Sequence, residues 1–260
     1  RKLKISKMIS IDNLTTSLNT EFLGRQIKYM DETPSTNNDT WNFFQKNAPE
    51  GTLVITDNQI DGRGRRNNKW LSTSNKSLTF SFLLLPKNNL ENLSLLPLLT
   101  GISIIKGIQN ITKIKLGLKW PNDIMADQKK IGGILIESNS NDEKLGIVIG
   151  IGININESEY DIPVEICNKA SSLHVYSGKE FDLSLILSSI LNEFENLYLN
   201  DWSQITTLWG QYCIHQNNEI VFHDNEKKIE GKFMGITNLG HAQIQLNGKL
   251  KTFSSGMIIL

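Results

Sequence analysis

Between Gly62 and Trp70 the chain reads Gly-Arg-Gly-Arg-Arg-Asn-Asn-Lys-Trp, which puts four cations, two glycines and an aromatic into nine residues. Such a segment stays out of a core, because its charges would have to leave water. Glycines at 62 and 64 free the backbone so that successive N–H groups can face one anion. Arg63, Arg65 and Arg66 supply planar, permanently charged donors that match phosphate and carboxylate. Trp70 offers a face to an apolar or aromatic ligand. The chemistry on offer is anion binding; the alternative is a solvated basic loop with a core tryptophan behind it.

Three further clusters carry related chemistry. Lys119-Trp120-Pro121-Asn122-Asp123 leaves a strand and turns, placing a cation, an amide and a carboxylate where α/β proteins bind ligands. Lys119 there suits a phosphate, and Asp123 either orients Lys119 or holds a magnesium-bound water. In Lys129-Lys130-Ile131-Gly132-Gly133-Ile134-Leu135-Ile136-Glu137 two glycines interrupt an apolar strand. They sacrifice packing and mark close approach by a backbone or a ligand, with Lys130 at the strand's mouth. Gly150-Ile151-Gly152-Ile153-Asn154-Ile155-Asn156 either brings Asn154 beside a flat base or is a glycine-kinked buried strand. Taken singly, each cluster reads equally well as structure.

The elements that must hold these residues follow from periodicity and punctuation. A short helix is expected within 11–23, and Ser35 or Thr36 caps a helix carrying Trp41, Phe43 and Phe44. Strands at 52–56 and 78–85 flank the basic loop. An apolar helix covers 93–110 with Pro97 in its first turn, where proline is tolerated. Residues 113–120 alternate and stop at Pro121, and 130–138 with 145–154 form a hairpin-like pair of buried strands. Asp182 opens a helix over 183–199, with Leu187, Ile190, Leu191 and Phe194 on one stripe. Another helix follows at 202–212. Beyond 215 come short alternating strands at 219–223, 227–236, 241–246 and 249–253, with Asn247-Gly248 as a type I′ turn. The expected fold is α/β, an α+β mixed sheet. It divides into an N-terminal segment or linker (1–30), a main domain (31–214) and a small C-terminal β-barrel (215–260).

Composition narrows the function. The 260 residues are enough for one large domain and a small appendage. Lys+Arg and Asp+Glu both total 27, which argues against a protein that coats nucleic acid. Cys167 and Cys213 form no CxxC pattern and the four histidines have no ligand spacing, so neither a disulfide framework nor a zinc site is expected. The expected setting is reducing and cytoplasmic. No apolar run approaches the roughly 20 residues of a membrane span.

Together and in this order, Pro34-Ser35-Thr36-Asn37-Asn38, Gln59 ahead of the basic stretch, Lys119 to Asp123, Lys129 to Glu137 and Gly150 to Asn156 resemble one family. It is the biotin protein ligases, also called biotin–[acetyl-CoA-carboxylase] ligases. The resemblance covers residues 30–260 and implies a biotin/lipoate-ligase-like catalytic domain with a small C-terminal SH3-like β-barrel domain. It implies biotin and ATP, with Mg2+, as substrates and biotinyl-5′-AMP as intermediate. The acceptor is a lysine of a biotin carboxyl carrier protein. Carried over position by position, Ser35, Thr36, Asn37 and Gln59 face the ureido ring. Gly62, Arg63, Gly64 and Arg65 close over the biotin carboxylate and adenylate phosphate, and Gly133 belongs to the same biotin site. Lys130, Arg65 and Arg63 are the catalytic cations. Arg66, Trp70, Lys119, Asn122, Asp123 and Asn154 stand on the nucleotide side, with the metal nearest Asp123. The chain departs from the family in having Asn67 and Asn68 where glycine often follows the arginine pair; asparagine tolerates left-handed backbone angles. The loop is expected to order when ligand binds.

Some members of that family carry an N-terminal winged helix, and the residues preceding Pro34 are too few for one. A ligase without DNA binding is therefore expected, although the opening Arg1 to Leu18 resembles the linker that follows such a module. Lipoate–protein ligase shares the fold and the adenylate logic, but the basic loop ending in Trp70 and the Lys119–Asp123 motif favour biotin. A silent biotin or nucleotide sensor is the non-enzymatic alternative. The edge strands serve a monomer or a homodimer equally.

Overall fold

The computed structural model describes residues 9–87, 90–140, 144–224 and 227–259. The opening octapeptide, 141–143 and 225–226, read above as linker and loops, lie outside the described residues, as does the Asn67 side chain. The elements in chain order are α1 (Ile11–Ser17), β1 (Ile27–Thr33), α2 (Thr36–Gln45), β2 (Leu53–Gln59), β3 (Gly62–Arg63), β4 (Lys69–Trp70) and β5 (Ser77–Leu84). There follow α3 (Leu96–Gln109), β6 (Gly117–Lys119), β7 (Asp123–Ala126), β8 (Lys129–Ser140), β9 (Leu145–Asn154), α4 (Leu173–Ser177), α5 (Leu183–Leu199) and α6 (Ile205–Tyr212). The C-terminal strands are β10 (Glu219–Asp224), β11 (Lys227–Ile236), β12 (Ala242–Leu246), β13 (Lys249–Phe253) and β14 (Met257–Ile259).

Seven strands form one sheet in the order β1-β2-β5-β9-β8-β7-β6, parallel only between β1 and β2. Strand β5 alternates Leu78, Phe80 and Phe82 with Thr79, Ser81 and Leu83, so the two sets face opposite sides of the sheet. The aromatic face packs on the long helices: Phe82 meets Phe194 of α5 edge-on at 4.8 Å. Helices α3 and α5 approach so closely at Gly107 that a β-carbon there would stand 2.7 Å from the Ile190 backbone. The opposite face carries α2, whose Phe44 packs on Leu83 and Val148. Burying each such side chain contributes about 1.5–3 kcal/mol.

Helix α1 is the short helix expected within 11–23, and it takes up the first part of that stretch. Beyond Ser17 the chain stays against α5, where Glu195 accepts hydrogen bonds from the backbone N–H groups of Glu21, Phe22 (3.1 Å) and Leu23 (2.8 Å). Leu14, Leu18 and Leu23 join the main core, so residues 9–24 pack as part of the large unit. The strand expected over 113–120 is confined to Gly117–Lys119. The other predicted elements fall where periodicity put them, with Asp182 and Ser35 as side-chain caps of α5 and α2.

Strands β13-β12-β11-β10-β14 make a second, antiparallel sheet. Asn247 and Gly248 both have positive φ, as a type I′ turn requires. This sheet is fastened to the first at β6 and the turn beyond it. Ile214 N–H donates to the Leu118 carbonyl at 3.1 Å, and the Trp120 indole N–H donates to the Gly240 carbonyl at 3.0 Å. Trp120 also leans on Phe222 of β10. No helix among the described residues is long and apolar enough to cross a membrane.

Candidate active site

A cavity of about 230 Å³ opens on the α2 face of the large sheet, beneath the basic loop. Its floor is set by strand register. Thr79 and Ser81 of β5 stand opposite Gly152 and Gly150 of β9, which in turn stand opposite Gly133 and Leu135 of β8. Three of these six positions lack a side chain, and Asn37, Trp70 and Lys130 come down over Gly150, Gly152 and Gly133 in the room so left. The glycines cannot be replaced cheaply. A β-carbon at Gly150 would meet the Asn37 carboxamide at 2.0 Å, and one at Gly152 would meet the Trp70 indole at 2.3 Å.

One end of the cavity is a buried, neutral hydrogen-bond network. Ser35 caps α2 and places Thr36 and Asn37 at its first turn. Gln59 Oε1 accepts from Thr36 N–H at 2.9 Å, and the Thr36 hydroxyl lies 2.7 Å from that of Ser81. Ser81 donates to Asn37 Oδ1 at 2.6 Å, and Asn37 Nδ2 donates to Glu137 at 2.7 Å. Arg63 is drawn to this end, 2.5 Å from Asn38 Oδ1 and 3.8 Å from Glu137. The Thr79 hydroxyl is buried here without a partner.

The other end is cationic. Asp123 lies between Lys130 at 2.6 Å and Lys119 at 3.0 Å. Burial alone would raise the Asp123 carboxyl, but the two lysines outweigh it and hold the group below its ordinary value. Arg65 sits beside them, its ionisation lowered by burial and by Arg66 and partly restored by Asp123. Three cations against one carboxylate leave this end two charges positive (3 − 1 = +2). Arg66, at φ 55° and ψ 39°, takes the left-handed conformation that asparagine was expected to supply. That kink sends adjacent arginines apart, Arg65 inward and Arg66 towards the His223 carbonyl of β10.

Of the residues singled out by sequence, Ser35, Thr36, Asn37, Gln59, Arg63, Gly64, Arg65, Arg66, Trp70, Lys119, Asn122, Asp123, Lys130 and Gly133 line this one cavity. Gly62 and Asn154 do not. Gly62 permits the close β3–β4 pairing, where a β-carbon would stand 2.5 Å from the Trp70 carbonyl oxygen. Asn154 donates its side-chain amide to the Ser171 carbonyl at 2.9 Å. Sequence reasoning passed over Thr79 and Ser81, whose polar alternation within an apolar strand was the available signal. It also passed over Gly256, Met257 and Ile258, which the second sheet contributes to the cavity wall.

Comparison with known proteins shows the family to which the chain belongs. The profile of the biotin/lipoate A/B protein ligase family matches residues 29–154. The bifunctional ligase/repressor BirA of Bacillus subtilis is 31% identical over 265 residues, spanning 100% of this chain and 82% of that protein. The human biotin–protein ligase is 24% identical and aligns over 94% of this chain and 35% of its own length. A biotin protein ligase from Aquifex aeolicus, solved with biotin and ATP, superposes with a TM-score of 0.78 at 33% identity, covering 90% of this chain and 98% of that one. The chain is a member of the biotin protein ligase family.

Proposed function

We propose that the protein activates biotin with ATP to biotinyl-5′-AMP and then transfers biotin to a lysine of a biotin carboxyl carrier protein. One observation carries the reading: a single cavity has a neutral hydrogen-bonding end, glycines in its strand floor and a cationic end. A ligand that matches has a polar head, an apolar body and an anionic tail, as biotin does. In the first step the biotin carboxylate oxygen bonds to the α-phosphorus of ATP, and the α–β bridging P–O bond breaks to release pyrophosphate. In the second, the acceptor amine bonds to the acyl carbon, and the acyl–phosphate C–O bond breaks to release AMP. Two anions meet in the first step, so fixed positive charge is the main catalytic resource.

In this reading Thr36, Asn37 and Gln59, with Ser35 as cap, bind the ureido group, and the Thr79 hydroxyl has a free bond to offer there. Lys130 and Arg65 neutralise the carboxylate and the phosphoryl oxygens. Lys119, Asn122, Arg66 and Trp70 stand on the nucleotide side. Asp123 spaces the two lysines. Both its oxygens already face ammonium groups, and no cluster of three or more His, Cys, Asp or Glu among the described residues could hold a metal. Magnesium enters this reading with ATP, as the Mg·ATP substrate.

The test is transfer of radiolabelled biotin to a purified carrier domain, with lipoate as competing substrate and Lys130→Ala as control. ATP-dependent labelling by biotin that Lys130→Ala abolishes supports the reading. Labelling by lipoate alone, or bound biotin with no labelled acceptor, overturns it.

A further inference from the structure

Glu157 is a buried carboxyl for which the proposed reaction has no use. It lies just beyond β9 at 2% exposure, and its Oε2 has no hydrogen-bond partner. Its Oε1 accepts from the Ser77 hydroxyl, which itself accepts from Thr73 N–H at 2.8 Å. Thr73 ends the return limb of the basic loop, next to Ser72. The Ser72 hydroxyl accepts from Gln59 N–H at 3.3 Å and donates to the Gln59 carbonyl at 2.9 Å. On its other side, the Glu157 carbonyl accepts from the Ser172 hydroxyl at 2.6 Å. The segment leading to Ser172 grips the backbone of Lys130. Lys130 N–H donates to the Lys169 carbonyl at 2.8 Å, and Ser171 N–H donates to the Lys130 carbonyl at 3.0 Å.

We infer that Glu157 is a positioning residue that ties the anchored limb of the basic loop to the segment holding Lys130, and so fixes the spacing of the two cationic elements. The inference rests on the adenylation reading above. Its physical basis is a charge that has nowhere to go. Of the groups packed around Glu157, Lys76 at the start of β5 is engaged by Asp161 at 2.6 Å. Asp161 itself faces Glu157 with like charge. His174 of α4 turns its ring to the Lys179 carbonyl at 3.0 Å, and Asn156 is neutral and occupied by the Phe181 backbone. An ionised Glu157 is buried here without a cation, and the Ser77 hydroxyl is the donor that favours its charge. Burial raises its pKa to about 7, so the charge comes on within the range where such an enzyme works. Ionisation tightens the bond chain to Thr73, because a carboxylate accepts from the Ser77 hydroxyl more strongly than a neutral carboxyl does, and the loop then orders more readily over biotin.

The experiment measures the biotin KM of pyrophosphate release from pH ~6 to ~8.5 in the wild type, Glu157→Gln and Ser77→Ala. The wild-type KM should fall about fivefold as the carboxyl ionises, with kcat changing less. Glu157→Gln should give a flat profile. Ser77→Ala, which keeps the carboxyl but cuts its link to Thr73, should give a flat profile at a higher KM, and it decides the matter if Glu157→Gln does not fold. Parallel profiles in the wild type and the folded variants overturn the inference and leave the adenylation reading intact. A wild type that releases no pyrophosphate overturns that reading instead.

Discussion

The Trp70 indole packs against Gly152, so near that a β-carbon at 152 would stand 2.3 Å from the ring. Trp70 therefore fills the room that the missing side chain at 152 leaves in the cavity wall. Gly152→Ala should push the indole off the floor, since a close-packed site yields a methyl's room only at a cost of about 1–3 kcal/mol. Biotin affinity should fall by about 10-fold or more, measured by isothermal titration. Unchanged affinity would remove Trp70 and Gly152 from the binding site.

Lys130 faces the cationic end and is ion-paired to Asp123 at 2.6 Å. Lys130→Ala should slow adenylate formation by about 10²–10³-fold, the usual loss when one fixed donor to a developing anion is removed. Single-turnover pyrophosphate release reads this directly. A wild-type rate would show that Arg65 and Lys119 suffice.

Glu157 also governs stability. Its folded pKa of about 7 lies above its ordinary value of 4.5, so the folded state holds the proton more tightly. Its contribution is full below pH 4.5 and is lost as pH rises through about 7. Glu157→Gln should therefore gain stability relative to wild type on going from acid to mildly alkaline buffer, by about 1–3 kcal/mol. Urea unfolding at the two pH values tests this, and an equal difference at both refutes the burial of that charge.

His215 works in the opposite direction. Buried against Trp209 and Phe233, it has its pKa lowered from 6.5 to about 3, by burial first and by Lys119 second. The folded state resists protonation, so the stability it contributes is complete above pH 6.5 and disappears as pH falls towards 3. His215→Leu should flatten that acid loss, seen as a smaller drop in Tm between neutral and acid buffer. A slope equal to wild type would assign the acid sensitivity to other groups.

Much of this site was legible because its chemistry is local. The basic loop, the Lys119–Asp123 turn and Lys130 each announce themselves by charge next to glycine or proline, and strand ends bring them together. Direction was not legible. Arg63 and Arg65 are two residues apart, yet one serves the neutral end and the other the cationic end, a split that depends on pairing with Asn38 and Glu137 from distant elements. The left-handed residue proved to be Arg66, where the turn's geometry overrides local preference. Ser81 acquires its role only through register with Gly150. Met257 reaches the cavity from a separate sheet, and no spacing rule spans that distance.

That last contact makes the small sheet a stopper as well as a neighbour. A mixed anhydride survives only while water is kept from it, and the sheet that forms part of the wall is joined to the large one by the Trp120–Gly240 bond and the Trp120–Phe222 contact. Loosening the join need not slow activation at all. It would instead let product leak away as free biotin and AMP, so that ATP consumed per acceptor labelled becomes a gauge of how well the two sheets meet.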